Sequence, residues 1–151
     1  MFGAGSNPDF KNDFETHIAF VINPGNSTTD VYVDAARYSG GTKEGQYIGN
    51  ANQEGTPVQG PSSNGIFAEN AITYAYYGAY DFRRGWEISI PLVELGNPSS
   101  SDVVEVFAAV VSSSAFFSDV TVPGNVTGGN PGFDPDFSTL AGGPYHSMGM
   151  P

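Results

Sequence analysis

Four tyrosines, Tyr74, Tyr76, Tyr77 and Tyr80, fall within seven residues and are followed directly by Asp81, Arg83 and Arg84. Tyrosine rings stack on the apolar C–H face of a sugar, while carboxylate and guanidinium groups take its hydroxyls, so the mixture fits carbohydrate recognition. Strand parity places Tyr74 and Tyr76 on one face and Tyr77 on the other, so a single platform can hold only part of the set. The same residues also fit ordinary strand and core-edge tyrosines. A second group, Asn130, Asp134 and Asp136, with Asn125 and Asp119 nearby, offers hard oxygen donors in a Gly-rich stretch. Calcium takes such donors, six to eight at a time, and a structural Ca2+ ion is the expectation here. The spacing is not that of an EF-hand loop, and the competing reading is a solvated acidic loop whose Asn and Asp cap turns.

Catalysis finds little to work with. Glu87 and Glu105 fall on neighbouring predicted strands, and a carboxylate pair can serve as general acid and base. Neither stands in a motif with a nucleophile, and exposed strand carboxylates are the plainer reading. The chain has no Cys and two His, which excludes disulfides, thiolate zinc sites and cysteine nucleophiles. No enzyme activity is expected.

The 16 acidic residues against 5 basic ones give a formal charge of −11, so the surface field repels phosphate backbones and anionic headgroups. Nucleic acid and membrane insertion are poor expectations, and neutral or cationic partners remain. The longest apolar run, around Val106 to Val111, falls far short of the roughly 20 residues that a spanning helix needs.

The elements that must position these groups read as strands. Glu15–Ile22 and Asp30–Tyr38 form a predicted hairpin across the turn-forming stretch 23–28, with Val31 and Val33 alternating against Tyr32 and Asp34. The Gly-, Gln- and Asn-rich stretch 39–64 reads as a surface excursion, with Tyr47 and Ile48 its only strand signal. Strand patterns resume at 65–70, 71–77 and 84–91, the last with Trp86, Ile88 and Ile90 on a face that must point into the core. Pro91 ends that strand, and Leu92–Gly96 reads as one helical or 3₁₀ turn closed by glycine. Val103–Ser113 is apolar at both parities, as a central strand covered on both sides would be. Ala115–Val122 adds an edge strand, and beyond Pro123 no period is visible.

The outcome is an all-β fold, a two-sheet antiparallel β-sandwich of jelly-roll or immunoglobulin-like type with long loops and little helix. Residues 1–14 read as a polar lead, 15–140 as the sandwich and 141–151 as a C-terminal linker. Met1–Ser6 lacks signal-peptide character, which fits either a cytosolic protein or a domain of a longer exported chain, and the linker-like end favours the second, extracellular or at the cell surface.

The block Gly85-Trp86-Glu87-Ile88-Ser89-Ile90-Pro91-Leu92-Val93-Glu94-Leu95-Gly96 resembles the signature of family-nine-like carbohydrate-binding modules and DOMON-type sandwiches, and the wider run from Asn23 to Tyr145, including Asp30–Asp34 and Val122–Val126, resembles surface domains of secreted bacterial proteins of Bacteroidota type. The resemblance implies a non-enzymatic binding or spacer module, with glycan the leading ligand class. Haem-binding relatives use a Met and His axial pair, for which this chain offers only His17, His146, Met148 and Met150; the last three lie in the stretch read as a C-terminal linker, so no organic cofactor is expected. The competing expectation is a structural or adhesive module with extracellular protein partners.

Overall fold

The computed structural model describes residues 16–24, 30–39, 42–78, 85–124, 126–139 and 145–150 of the chain. These residues are all-β and antiparallel, with ten strands and two single 3₁₀ turns, Leu92–Leu95 and Phe137–Thr139. The chain divides into two compact units, one spanning His17–Asn97 and the other built on the chain from Pro98 onward.

The first unit holds two three-stranded sheets. β1 (Ile18–Pro24), β2 (Val31–Ser39) and β3 (Thr42–Ala51) pair in that order. The alternation along β2 buries Val31, Val33 and Ala35, and the pairs Phe20↔Ala35 and Ile22↔Val33 bring β1 side chains to the same inner face. The second sheet runs β4 (Val58–Gly60), β5 (Ile72–Tyr77), β6 (Gly85–Ser89). Both sheets feed one cluster: Val31, Val33, Ala35, Ile48 and Ala51 from the first, Ile72 and Tyr74 from the second, and Phe67 from the loop between β4 and β5.

The stretch 39–64 is not a plain surface excursion: half of it is β3 and β4. Its strand signal is weak because β3 is an edge strand with few residues turned inward, and its four leading residues, Thr42–Gly45, are all exposed. A bulge completes it. Partners step from Val33↔Gly49 to Asp34↔Tyr47, leaving Ile48 as the extra residue, and Ile48 is buried in the core.

Gly65–Asn70 forms bends and a turn instead of a strand, although Phe67 is fully buried. Side chains replace the missing ladder. Gln46 donates from Nε2 to the Ser63 carbonyl at 2.9 Å and accepts the Phe67 N–H at Oε1, also at 2.9 Å. Leu92–Leu95 is the expected 3₁₀ turn, with Gly96 at φ 85° and the Asn97 N–H closing on the Leu92 carbonyl at 2.8 Å. Ile88 and Ile90 pack against the core cluster as expected, whereas Trp86 lies at its margin, 40% exposed, with its ring 6.3 Å from that of Phe20.

In the second unit, the single covered strand expected over Val103–Ser113 is instead two short ones, interrupted at Phe107. β7 (Val103–Val106) pairs with β10 (His146–Gly149), and β8 (Ala108–Val111) pairs with β9 (Phe117–Val122). Both parities are apolar because Val104 and Val111 turn partly inward while Val103 and Val110 stand 58% exposed, so the strand is not covered on both sides. β10 lies within the stretch whose composition reads as linker. The unit packs on phenylalanines: Phe107 and Phe117 meet Phe137 with ring centres 4.8 and 5.5 Å away.

Candidate functional site

The structure separates the tyrosine group around β5. Tyr74 is 2% exposed and belongs to the core, so it is no part of a surface platform; its even parity on β5 points it at the cluster, where burial pushes its hydroxyl up to about 12. Tyr76 shares that face, opposite Trp86, and packs against the cluster. Tyr77 points the other way. Its ring crosses Gly55, where an added Cβ would sit 3.2 Å from Tyr77 Cδ2, and with Gly55, Ala75, Gly85, Trp86 and Glu87 it lines an open depression of about 310 Å³. Tyr80, Asp81 and Arg83 lie outside the described residues.

Of the three residues expected to hold calcium, Asn130 and Asp136 accept hydrogen bonds from backbone N–H groups. Asn130 Oδ1 accepts the Asp119 N–H at 3.0 Å, and Asp136 Oδ1 accepts the Ser138 N–H at 3.2 Å and its hydroxyl. Asp134 is exposed with φ at 49°, a conformation Asp adopts in turns. Among the described residues no group of three His, Cys, Asp or Glu side chains is placed to hold a metal. Glu87 pairs with Ala75 on β5, and Glu105 with Ser147 on β10, so the two carboxylates sit in different sheets.

A different surface brings exposed aromatics and polar groups together. On the outer face of β1–β2–β3 the register forms two rows, Asn23–Tyr32–Asn50 and Val21–Asp34–Tyr47. Tyr32 is 41% and Tyr47 52% exposed. They are diagonal neighbours, about 7–8 Å apart, on adjacent strands. Asn50 is fixed at both ends: its Oδ1 accepts the Val31 N–H and its Nδ2 donates to Asp30 Oδ1, each at 3.1 Å. The Tyr47 hydroxyl is held above the usual phenol range by its partial burial, then by Asp34, Tyr32 and Asp30, which marks these groups as one electrostatic neighbourhood.

The bulge at Ile48 shapes this face. It separates Tyr47, which turns outward opposite Asp34, from Gly49 opposite Val33. Gly49 sits at φ 149°, and an added Cβ would collide with the Tyr74 hydroxyl beneath it. Tyr32 and Asp34 were legible as the outward set of an alternating strand. Tyr47 was visible as part of a short strand signal, but its place beside Asp34 depends on long-range pairing and on the bulge.

No protein-family model matches this chain, and neither a curated protein nor a solved structure matches it. Function is therefore read from the face itself. Two exposed rings flanked by amide and carboxylate groups can stack a sugar and bond its hydroxyls.

Proposed function

We propose that the chain is a non-catalytic carbohydrate-binding module of a longer secreted or cell-surface protein, holding its glycan on the outer face of β1–β2–β3. The observation that carries the reading is the register that exposes Tyr32 and Tyr47 on one face beside Asn23, Asp34 and Asn50. Their flat rings offer stacking area at little conformational cost, and the acidic surface is compatible with neutral sugars. A two-sheet sandwich belongs to the same proposal, supported by the shared cluster to which both sheets of the first unit contribute. Affinity gel electrophoresis against a panel of neutral polysaccharides tests the binding. Retardation is expected for at least one, weakened roughly tenfold by Tyr47→Ala and by Tyr32→Ala. Migration unaffected by every polysaccharide would sink the proposal.

One observation favours the second reading, a structural or adhesive module. Val110, Val120 and Val122 on the β8–β9 ribbon stand 58–61% exposed, apolar surface that a protein partner would bury. Concentration-dependent assembly in light scattering, lost in Val120→Asp, would support it.

A further inference from the structure

We infer that Asn64–Gly65 is a site of spontaneous covalent modification, a deamidation that turns Asn64 into aspartate and isoaspartate, and that the fold holds the reaction in check through the grip of Gln46 on this loop. The chain has one Asn-Gly step, and this is it. Asparagine followed by glycine is the pair most prone to the reaction, because glycine has no side chain to screen its nitrogen and its backbone turns freely. The Gly65 nitrogen, its proton lost to base, bonds to Asn64 Cγ, and the side-chain amide nitrogen leaves as ammonia. Water then opens the five-membered imide. Attack at Cγ restores the main chain and gives aspartate; attack at the Asn64 main-chain carbonyl gives isoaspartate, in which the chain runs on through Cγ.

The fold demands the glycine of this pair. An added Cβ at Gly65 would sit 2.5 Å from Gln46 Nε2, the atom that donates to the Ser63 carbonyl. Gln46 thus brackets the pair, holding the Ser63 carbonyl on one side and the Phe67 N–H on the other, both at 2.9 Å. Inside the bracket each reacting group is engaged. The Gly65 N–H donates to the Phe67 carbonyl at 3.0 Å, and Asn64 Oδ1 accepts the Glu69 N–H at 2.9 Å. Ring closure needs the nitrogen released from that carbonyl and the amide turned from Glu69 onto it, so the reaction proceeds from the opened loop. Both residues are exposed, so base and water reach them once the loop opens. Isoaspartate lengthens the main chain between Ser63 and Phe67 and adds a negative charge, so the bracket no longer matches its span and the loop stays loosened.

Peptide mapping by mass spectrometry tests this, on the intact chain held in mildly alkaline buffer beside a synthetic peptide of residues 60–70. Asn64 should convert in both, with isoaspartate the main product, and at least about tenfold more slowly in the intact chain. Gln46→Ala should speed the reaction in the intact chain about tenfold, because it removes the bonds at Ser63 and Phe67. Phe137→Ala, whose lost packing lies in the other unit, should leave the rate alone. Conversion as fast in the intact chain as in the peptide, or a rate unchanged by Gln46→Ala, would overturn the check by the fold. Equal acceleration in Phe137→Ala would do the same, by making global unfolding the gate. Absence of conversion at Asn64 in both the intact chain and Gln46→Ala would overturn the site itself.

Discussion

Tyr74 places a hydroxyl in the core of the first unit, where among the described residues it has no hydrogen-bond partner. An unmet buried hydroxyl costs about 1–3 kcal/mol, so Tyr74→Phe should raise stability in urea by about 1 kcal/mol with an unchanged denaturant slope. The same substitution should alter the alkaline limb. A phenol whose folded value is about 12 and unfolded value 10.0 contributes stability that is full below pH 10 and lost as pH rises through about 12. That loss, about 2–3 kcal/mol at most, should be absent from the Phe variant's stability profile over this window. Gly49 is the counterpart: Gly49→Ala should cost about 2–4 kcal/mol, from its φ and from the Tyr74 hydroxyl, and Tyr74→Phe should recover part of that in a double-mutant cycle. Sequence parity correctly set Tyr74 and Tyr77 on opposite faces. It could not say which face was inside, because tyrosine suits core edge and surface equally and Ala75 between them discriminates little.

At the scale of elements, the loop between β4 and β5 is held by contacts distant in sequence. Gln46 of β3 clamps it at Ser63 and Phe67, Glu94 Oε1 accepts the Ala68 N–H at 3.3 Å, and Arg37 crosses the Phe67 ring at 5.3 Å while donating from Nη2 to the Glu94 carbonyl at 2.8 Å. Gln46→Ala strands a backbone N–H beside a buried ring and should cost about 1–3 kcal/mol. Amide exchange distinguishes this from general loosening: Phe67 should lose protection before the β1–β2 pairs do. The clamp explains why this region was illegible. Phe67 gave a strand-like apolar signal, yet its N–H is met by the Gln46 side chain of another element and its carbonyl by the nearby Gly65 N–H, which no local period records. β1 and β2 were legible because each alternates and a turn-rich stretch joins them. β3 was not, because an edge strand whose pairing lies in the backbone can keep a polar, glycine-bearing sequence. The 3₁₀ turn after Pro91 was legible to the residue, since a missing N–H and a left-handed glycine are local demands.

For the whole molecule, the division into two units carries a consequence for unfolding. The first unit's cluster draws on both of its sheets, while the second packs on Phe107, Phe117 and Phe137 around short two-stranded ribbons, which are marginal in water by themselves. Phe137 is 1% exposed, so Phe137→Ala should cost about 3–5 kcal/mol, a large share of what a unit of this size can hold. The chain has one tryptophan, Trp86, and it sits in the first unit against Phe20, which provides a local reporter. In Phe137→Ala the Trp86 fluorescence transition should keep its midpoint while circular dichroism gains an earlier phase, because the two cores are built from separate sets of residues. Tyr74→Ala should do the reverse and move the fluorescence midpoint. If fluorescence and circular dichroism shifted together in Phe137→Ala, the two units would share one cooperative transition, and the separate cores would count for packing but not for stability.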